Sequence, residues 1–209
     1  MTIRAVAWDI DGTLVDSEPL HHRALLAASL AWGCDLSDLP DQAFRGVHMH
    51  DVWDILRARL PQYLEKDIWL QAIDRHYADN TQHLLPIVDA IHAVEDLAAR
   101  GIPQVCVSNS GRSVVDANLR ALGITAHMQF SISLDDVEAG KPDPEPYLQA
   151  CKRLGLEPGS VAAIEDSKSG ALAARRAGLL VIGYTATGGG FDDVDHMITD
   201  FSSLPGLIR

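Results

Sequence analysis

From residue 84 onward, apolar and polar positions repeat one order: a stretch of helical period, a glycine, then a short unbroken apolar run. Residues 94–100 end at Gly101 and lead into 104–107, and residues 114–122 end at Gly123 before 130–133. Residues 147–154 stop at Gly155 ahead of 161–164, and residues 171–177 stop at Gly178 ahead of 180–183. Each stretch carries a base near its last turn, namely Arg100, Arg120, Lys152 with Arg153, and Arg175 with Arg176. Those cations oppose the partial negative charge of a helix end, and the glycine that follows accepts the left-handed cap. Helices alternating with short apolar strands predict an α/β fold built on a doubly wound parallel sheet. Residues 5–8, Ala-Val-Ala-Trp, add a strand and bring the expected core to five.

A strand-helix-strand unit takes about 30 residues, yet residues 9–103 separate the first two strands. The surplus predicts an insertion. Residues 17–83 are rich in helix formers, with Leu20, Ala24, Ala27, Ala28 and Ala31 expected on one face. Val52, Ile55, Leu56 and Leu60 follow, then Ile68, Ala72 and Ile73. Pro40, Pro61 and Pro86 mark breaks. The expected organisation is a Rossmann-like core of residues 1–16 and 84–209 with a helical cap domain of about four helices over 17–83, hinged near 16–18 and 84–87.

Composition narrows the class. At 209 residues, 47% hydrophobic and 22% charged, the chain can bury a sizeable core. The formal charge of -12 argues against a nucleic-acid partner, which needs clustered Lys and Arg. It does not exclude an anionic substrate, because a divalent cation and one well-placed Lys outweigh a diffuse negative surface screened beyond about 10 Å. No run is long and apolar enough for a membrane span, and no signal-peptide pattern opens the chain, so a cytoplasmic protein with no membrane partner is expected. Cys34, Cys106 and Cys151 fit no metal or redox spacing and read as small apolar groups in a reducing compartment.

The chemistry starts where the first strand meets a turn, at Asp9-Ile10-Asp11-Gly12-Thr13-Leu14-Val15-Asp16-Ser17. Side chains at i and i+2 of extended backbone point the same way, so Asp9 and Asp11 can address one substrate atom from one side. Two like charges this close repel unless a cation lies between them or one is protonated. Alone, Asp-x-Asp-Gly is also plain turn chemistry. Three further motifs follow in order: Val107-Ser108-Asn109-Ser110, Gly140-Lys141-Pro142-Asp143-Pro144 and Ile164-Glu165-Asp166-Ser167. All sit where the hydrophobic pattern puts the carboxyl ends of strands or the loops after them, which is where open α/β sheets bind ligands.

With these four motifs the chain resembles the haloacid dehalogenase superfamily of aspartyl-phosphate phosphatases and mutases, from about residue 5 to 184. The resemblance implies that Asp9 is the nucleophile and that Asp11 protonates the leaving oxygen and later activates water. Ser108, its hydroxyl joined by the following amide, would donate to phosphoryl oxygens, and Lys141 would steady both the nucleophile and the phosphoryl group. Mg²⁺ is the implied cofactor, with carboxylates of Asp9 and Asp166, the backbone carbonyl of Asp11, and Glu165 direct or through water. Capping of the helix after residue 167 is the alternative use of these acids. Ser17, His21, Arg45 and Asn109 are the candidate substrate contacts, with His48 and His50 near them.

The reading is a Mg²⁺-dependent phosphatase of a small phosphorylated metabolite, a sugar phosphate foremost, acting as a monomer or weak homodimer. A β-phosphoglucomutase-like hexose phosphate mutase is the alternative. The related mutases carry a phosphate-binding arginine in the cap where this chain has Met49, although His21 matches a cap-hinge histidine of that group. A signalling receiver domain is a third reading, disfavoured by the insertion and by Asp11. A haloacid dehalogenase proper would lack the second Asp and the metal.

Overall fold

The computed structural model describes residues 2–41, 43, 44, 47 and 49–208. Along the chain run β1 (Ala5–Trp8), β2 (Val15–Asp16), α1 (Glu18–Ala31), α2 (Met49–Leu56), α3 (Lys66–Asp79), β3 (Leu85–Pro86), α4 (Val88–Ala99) and β4 (Gln104–Val107). Then come α5 (Arg112–Ala121), β5 (Ser131–Ile132), α6 (Glu145–Leu154), β6 (Val161–Glu165), α7 (Lys168–Ala177), β7 (Leu180–Tyr184), β8 (His196–Ile198) and α8 (Leu204–Leu207). Two compact units result, Met1–Val15 with Pro86–Arg209 and Asp16–Leu85. The short strands β2 and β3, where the chain leaves and re-enters the first unit, pair with each other.

In the first unit the apolar runs assemble into a parallel sheet in the order β5-β4-β1-β6-β7-β8. The chain moves from β1 outward to β4 and β5, then returns to β6 on the other side of β1. Strand order therefore reverses at β1, the position beyond which doubly wound sheets take their ligands. Alternate residues Ala5, Ala7, Val105, Val107, Val161, Ala163 and Val181 form one core with Tyr147, Ala150 and Cys151 of α6 and Ala171 and Ala174 of α7. Small side chains on both layers allow the helices to lie close to the strands. On alternate positions, Trp8 Nε1 donates to Gln104 Oε1 at 2.8 Å, and Gln104 Nε2 donates to the Val94 carbonyl in α4 at 2.9 Å. A glutamine buried in a central strand is thus bonded at both its amide oxygen and its amide nitrogen, as burial demands. Gly155 and Gly178 end α6 and α7 in the left-handed conformation, with φ of 66° and 86°. The parallel α/β core matches the pattern of the sequence, with one strand more than the five expected. β8 is three residues long, and an exposed His196 gives it no apolar alternation to read.

The second unit differs from expectation in its helices. Among the described residues it has α1, α2, α3 and a 3-10 turn at Thr81–His83 rather than four full helices. The buried faces are also shifted in part: Ile55 and Ile68 are 61% and 44% exposed, Ala31 is exposed and Ala27 only half-buried. Leu20, Ala24 and Ala28 on α1, Val52 and Leu56 on α2, and Ile73 on α3 are buried as expected, joined by Leu25, Trp53, Trp69 and Tyr77. The indoles decide this. The rings of Trp53 and Trp69 lie 5.4 Å apart, and Trp69 Nε1 donates to the buried Ser29 Oγ at 3.1 Å. An aromatic ring hides far more apolar area than an isoleucine, so a helix turns to bury it first.

Candidate active site

Register builds the site. Trp8 pairs with Cys106 on one side and Ile164 on the other, so one residue further on Asp9 lies abreast of Val107 and Glu165. The Asp9 amide extends the ladder by donating to the Ile164 carbonyl at 3.0 Å. Lys141 Nζ spans this rung, donating to Asp9 Oδ1 at 2.7 Å, to the Val107 carbonyl at 2.7 Å and to Glu165 Oε1 at 2.6 Å. All three donors of the ammonium are used. Three strands are thereby tied through one side chain that is itself buried.

Glu165 closes β6 and is fully buried. Its Oε1 also accepts from Tyr147 Oη at 2.5 Å, and its Oε2 from Ser167 Oγ at 3.3 Å. Ser167 Oγ in turn caps α7, accepting from the Gly170 amide at 3.1 Å. Two glycines make room for the acids. A Cβ on Gly170 would fall 1.9 Å from Glu165 Oε2, and one on Gly12, whose φ is +92°, would fall 2.0 Å from Asp166 Oδ2. Alanine at either place would displace a carboxylate.

Negative charge is in excess here. Burial lifts the Asp9 carboxyl well above the usual carboxylate range; Lys141 pulls it down, while Glu165, Asp166 and Asp11 lift it further. Asp166 is pushed up to about 7 by burial and by Glu165, against the pull of Lys141. Burial alone would lower the Lys141 ammonium, but Asp9 and Glu165 outweigh it and hold lysine above its ordinary value. Burial, then Glu165, raises the Tyr147 phenol. Asp9, Glu165 and Asp166 each offer a carboxylate oxygen within 4.8 Å of the others, and Asp9 Oδ2 is buried without a hydrogen-bond partner. Oxygen donors in this number, with one left open and their charge only partly offset, fit a hard divalent cation.

Asp11 lies beside the cluster with donors on both oxygens. Ser110 Oγ and Ser108 Oγ donate to its Oδ2 at 2.8 and 3.3 Å, and Asn118 Nδ2 to its Oδ1 at 3.4 Å. Asn109 turns the other way: its Oδ1 accepts from the Lys141 amide at 2.8 Å, and its Nδ2 donates to the Lys141 carbonyl at 2.9 Å.

A family model described as haloacid dehalogenase-like hydrolase matches residues 3–178. The chain belongs to this family. It is therefore a hydrolase, and its relatives within the haloacid dehalogenase-like hydrolases include named phosphatases. It is 32% identical over 193 residues to the phosphoglycolate phosphatase of Yersinia pestis, covering 88% of this chain and 81% of that protein. It is 27% identical over 184 residues to the validoxylamine A 7'-phosphate phosphatase of Streptomyces hygroscopicus subsp. limoneus, covering 88% and 86%. Its fold is similar to that of CbbY from Rhodobacter sphaeroides in complex with phosphate, with a TM-score of 0.87, 24% identity, and 97% and 96% of the two chains covered.

For this haloacid dehalogenase-like hydrolase, the structure brings together Asp9, Asp11, Ser108, Lys141, Glu165 and Asp166. Of the candidate substrate contacts, Asn109 has its amide engaged with the backbone of Lys141. Ser17 lies in the second unit, buried, with an Oγ that has no hydrogen-bond partner. His21 is in the same unit, its ring 4.4 Å from that of Tyr77, and His50 is exposed on α2. Arg45 and His48 lie outside the described residues. Three further polar residues join the network without a role assigned to them from sequence: Asn118, Tyr147 and Ser110, the last of which stands in the motif with Ser108. Asn118 left a signal, since it is a polar residue inside the apolar helical stripe of Val114, Val115 and Leu119, fully buried in α5. Tyr147 left none, because a phenol at a core position of a helix reads as packing. The three cysteines are buried and free, and no helix among the described residues is long and apolar enough to cross a membrane.

Proposed function

We propose that this protein is a Mg²⁺-dependent phosphatase that hydrolyses a small phosphorylated metabolite, a sugar phosphate foremost, through a phosphorylated Asp9. The observation that carries the reading is the state of Asp9: a buried carboxylate with Oδ1 held by Lys141 and Oδ2 left without a partner, at the carboxyl end of the central strand. A buried carboxylate at this place, oriented by Lys141 through Oδ1 and with Oδ2 free for a cation, is suited to act as the nucleophile in phosphoryl transfer. Relatives named for phosphoglycolate and validoxylamine A 7'-phosphate support a small phosphate ester as substrate.

Asp9 and Asp166 would hold the ion through carboxylates, Asp11 through its backbone carbonyl, and Glu165 directly or through water; the ion supplies charge neutralisation to phosphoryl oxygens. The remaining work falls to side chains. An oxygen of Asp9 attacks phosphorus as the bond to the leaving oxygen breaks, and Asp11 gives its proton to that oxygen. Asp11, now a carboxylate, takes a proton from the water that attacks phospho-Asp9, and phosphate leaves with Asp9 restored. The donors around Asp11 suit its ionised form, the form from which the second step starts. Lys141 keeps Asp9 oriented and lowers the charge that the incoming phosphate meets. Residues 17–83 would serve as the cap, with Ser17, His21 and Arg45 as its substrate contacts.

Phosphate release from p-nitrophenyl phosphate should require Mg²⁺ and stop in excess EDTA. Asp9→Asn, folded by circular dichroism, should lose at least about a thousandfold in turnover. Undiminished turnover in EDTA or in the Asn variant would sink the mechanism. Met49, on α2, offers a thioether where a mutase would need a cation for a second phosphate. β-Glucose 1-phosphate, if accepted, should therefore yield phosphate and glucose rather than glucose 6-phosphate.

A further inference from the structure

We propose that Asn109 is a positioning residue that sets where the Lys141 ammonium sits, rather than a contact for substrate; this rests on the reading of Lys141 as the charge that steadies Asp9. The need for such a residue follows from geometry. Lys141 lies in the loop before α6, outside any strand, yet its Nζ must meet acceptors at the ends of β1, β4 and β6 together. A four-carbon stem is flexible, so the ammonium finds all three acceptors only if the backbone it hangs from is fixed.

Asn109 fixes it in the manner of a strand neighbour. Its amide accepts from the N–H and donates to the carbonyl of the same residue, at 2.8 and 2.9 Å, so both backbone groups of Lys141 are bonded to one planar side chain. Of the side chains this short, only a carboxamide carries a donor and an acceptor side by side. Asparagine also stands two residues after Val107, whose carbonyl receives the other end of the lysine. Lys141 thus grips the exit of β4 at its base and at its tip. A second, separate observation agrees: a Cβ on Gly140 would lie 2.7 Å from Asn109 Oδ1 and 2.7 Å from Leu134 Cδ1, so the loop approaches Asn109 as closely as only glycine permits.

The chain has four lysines, Lys66, Lys141, Lys152 and Lys168, of which only Lys141 is buried, so its ammonium is separable by NMR in protein labelled with ¹⁵N-lysine. In substrate-free protein, one ammonium signal protected from solvent exchange is expected, assigned by its loss in Lys141→Met. In Asn109→Asp, nearly isosteric, and in Asn109→Leu and Gly140→Ala, that signal should exchange at least about tenfold faster, since the locked hydrogen bonds of a buried cation are what slow it. Turnover of p-nitrophenyl phosphate should fall in the same variants by about a hundredfold, the cost of a displacement near 1 Å, with KM little changed. In a Lys141→Met background, Asn109→Leu should cost less than about twofold further, because effects that pass through one group do not add. An unchanged ammonium signal in the folded Asn109→Asp protein, or losses that multiply in the Lys141→Met background, would overturn the proposal. Full turnover in Lys141→Met alone would instead refute the catalytic use of Lys141, while the ammonium signal still reports whether Asn109 places it.

Discussion

Hydrogen-bond donors favour the ionised form of a carboxylate, and Asp11 has Ser110, Ser108 and Asn118 around it. If it also protonates the leaving oxygen, Asp11→Ala should lower turnover of an alkyl phosphate at least about a hundredfold, and that of p-nitrophenyl phosphate much less, because a good leaving group hardly needs the proton. Equal losses on both esters would remove the acid role. The residues of this neighbourhood differ in how far sequence reveals them. Asp9, Asp11, Glu165 and Asp166 stand at strand ends, so an apolar run followed by acids is enough to place them near one another. The engagement of Glu165 by Tyr147 and the grip of Asn109 on Lys141 join residues 18 and 32 positions apart. No local pattern encodes which of several polar side chains will close such a pair, since that depends on loop paths fixed only by folding.

Elements follow the same division. Helices α6 and α7 end at their glycines because a left-handed cap is a local requirement that only a few residues meet. The helices of residues 17–83 carry apolar side chains on more than one side, so the periodicity admits several faces, and the choice is made by which side chains meet across the unit. Trp69 is fully buried whereas Ile55 is 61% exposed. Trp69→Ala should therefore destabilise the protein by about 3–5 kcal/mol, whereas Ile55→Ala should stay within about 0.5 kcal/mol. Urea unfolding of both variants measures the difference, and comparable losses would mean that α2 and α3 pack on other faces than those described.

At the scale of the whole molecule, a formal charge of -12 says little about the site, where the balance is local: four acids against one lysine. The tie that Lys141 makes across β1, β4 and β6 has a consequence for the endurance of the metal-free protein. A carboxyl whose folded pKa is raised stabilises the fold in its protonated form, below the unfolded value, and loses that contribution as pH rises through the folded value. The raised Asp9 carboxyl thus costs the fold more stability at pH 8 than at acid pH. Asparagine keeps an oxygen for Lys141 and never ionises, so Asp9→Asn in EDTA should melt higher than the native protein at pH 8, by at least about 3 °C, equivalent to about 1 kcal/mol in a chain of this size. The gain should shrink toward pH 4, and a lower midpoint at pH 8 would show that the native charge is better tolerated than its burial implies. Loss of activity and gain of robustness would then come from one atom. The silenced protein would be the sturdier specimen for soaking with phosphorylated compounds, able to hold an uncleaved ester against a settled lysine.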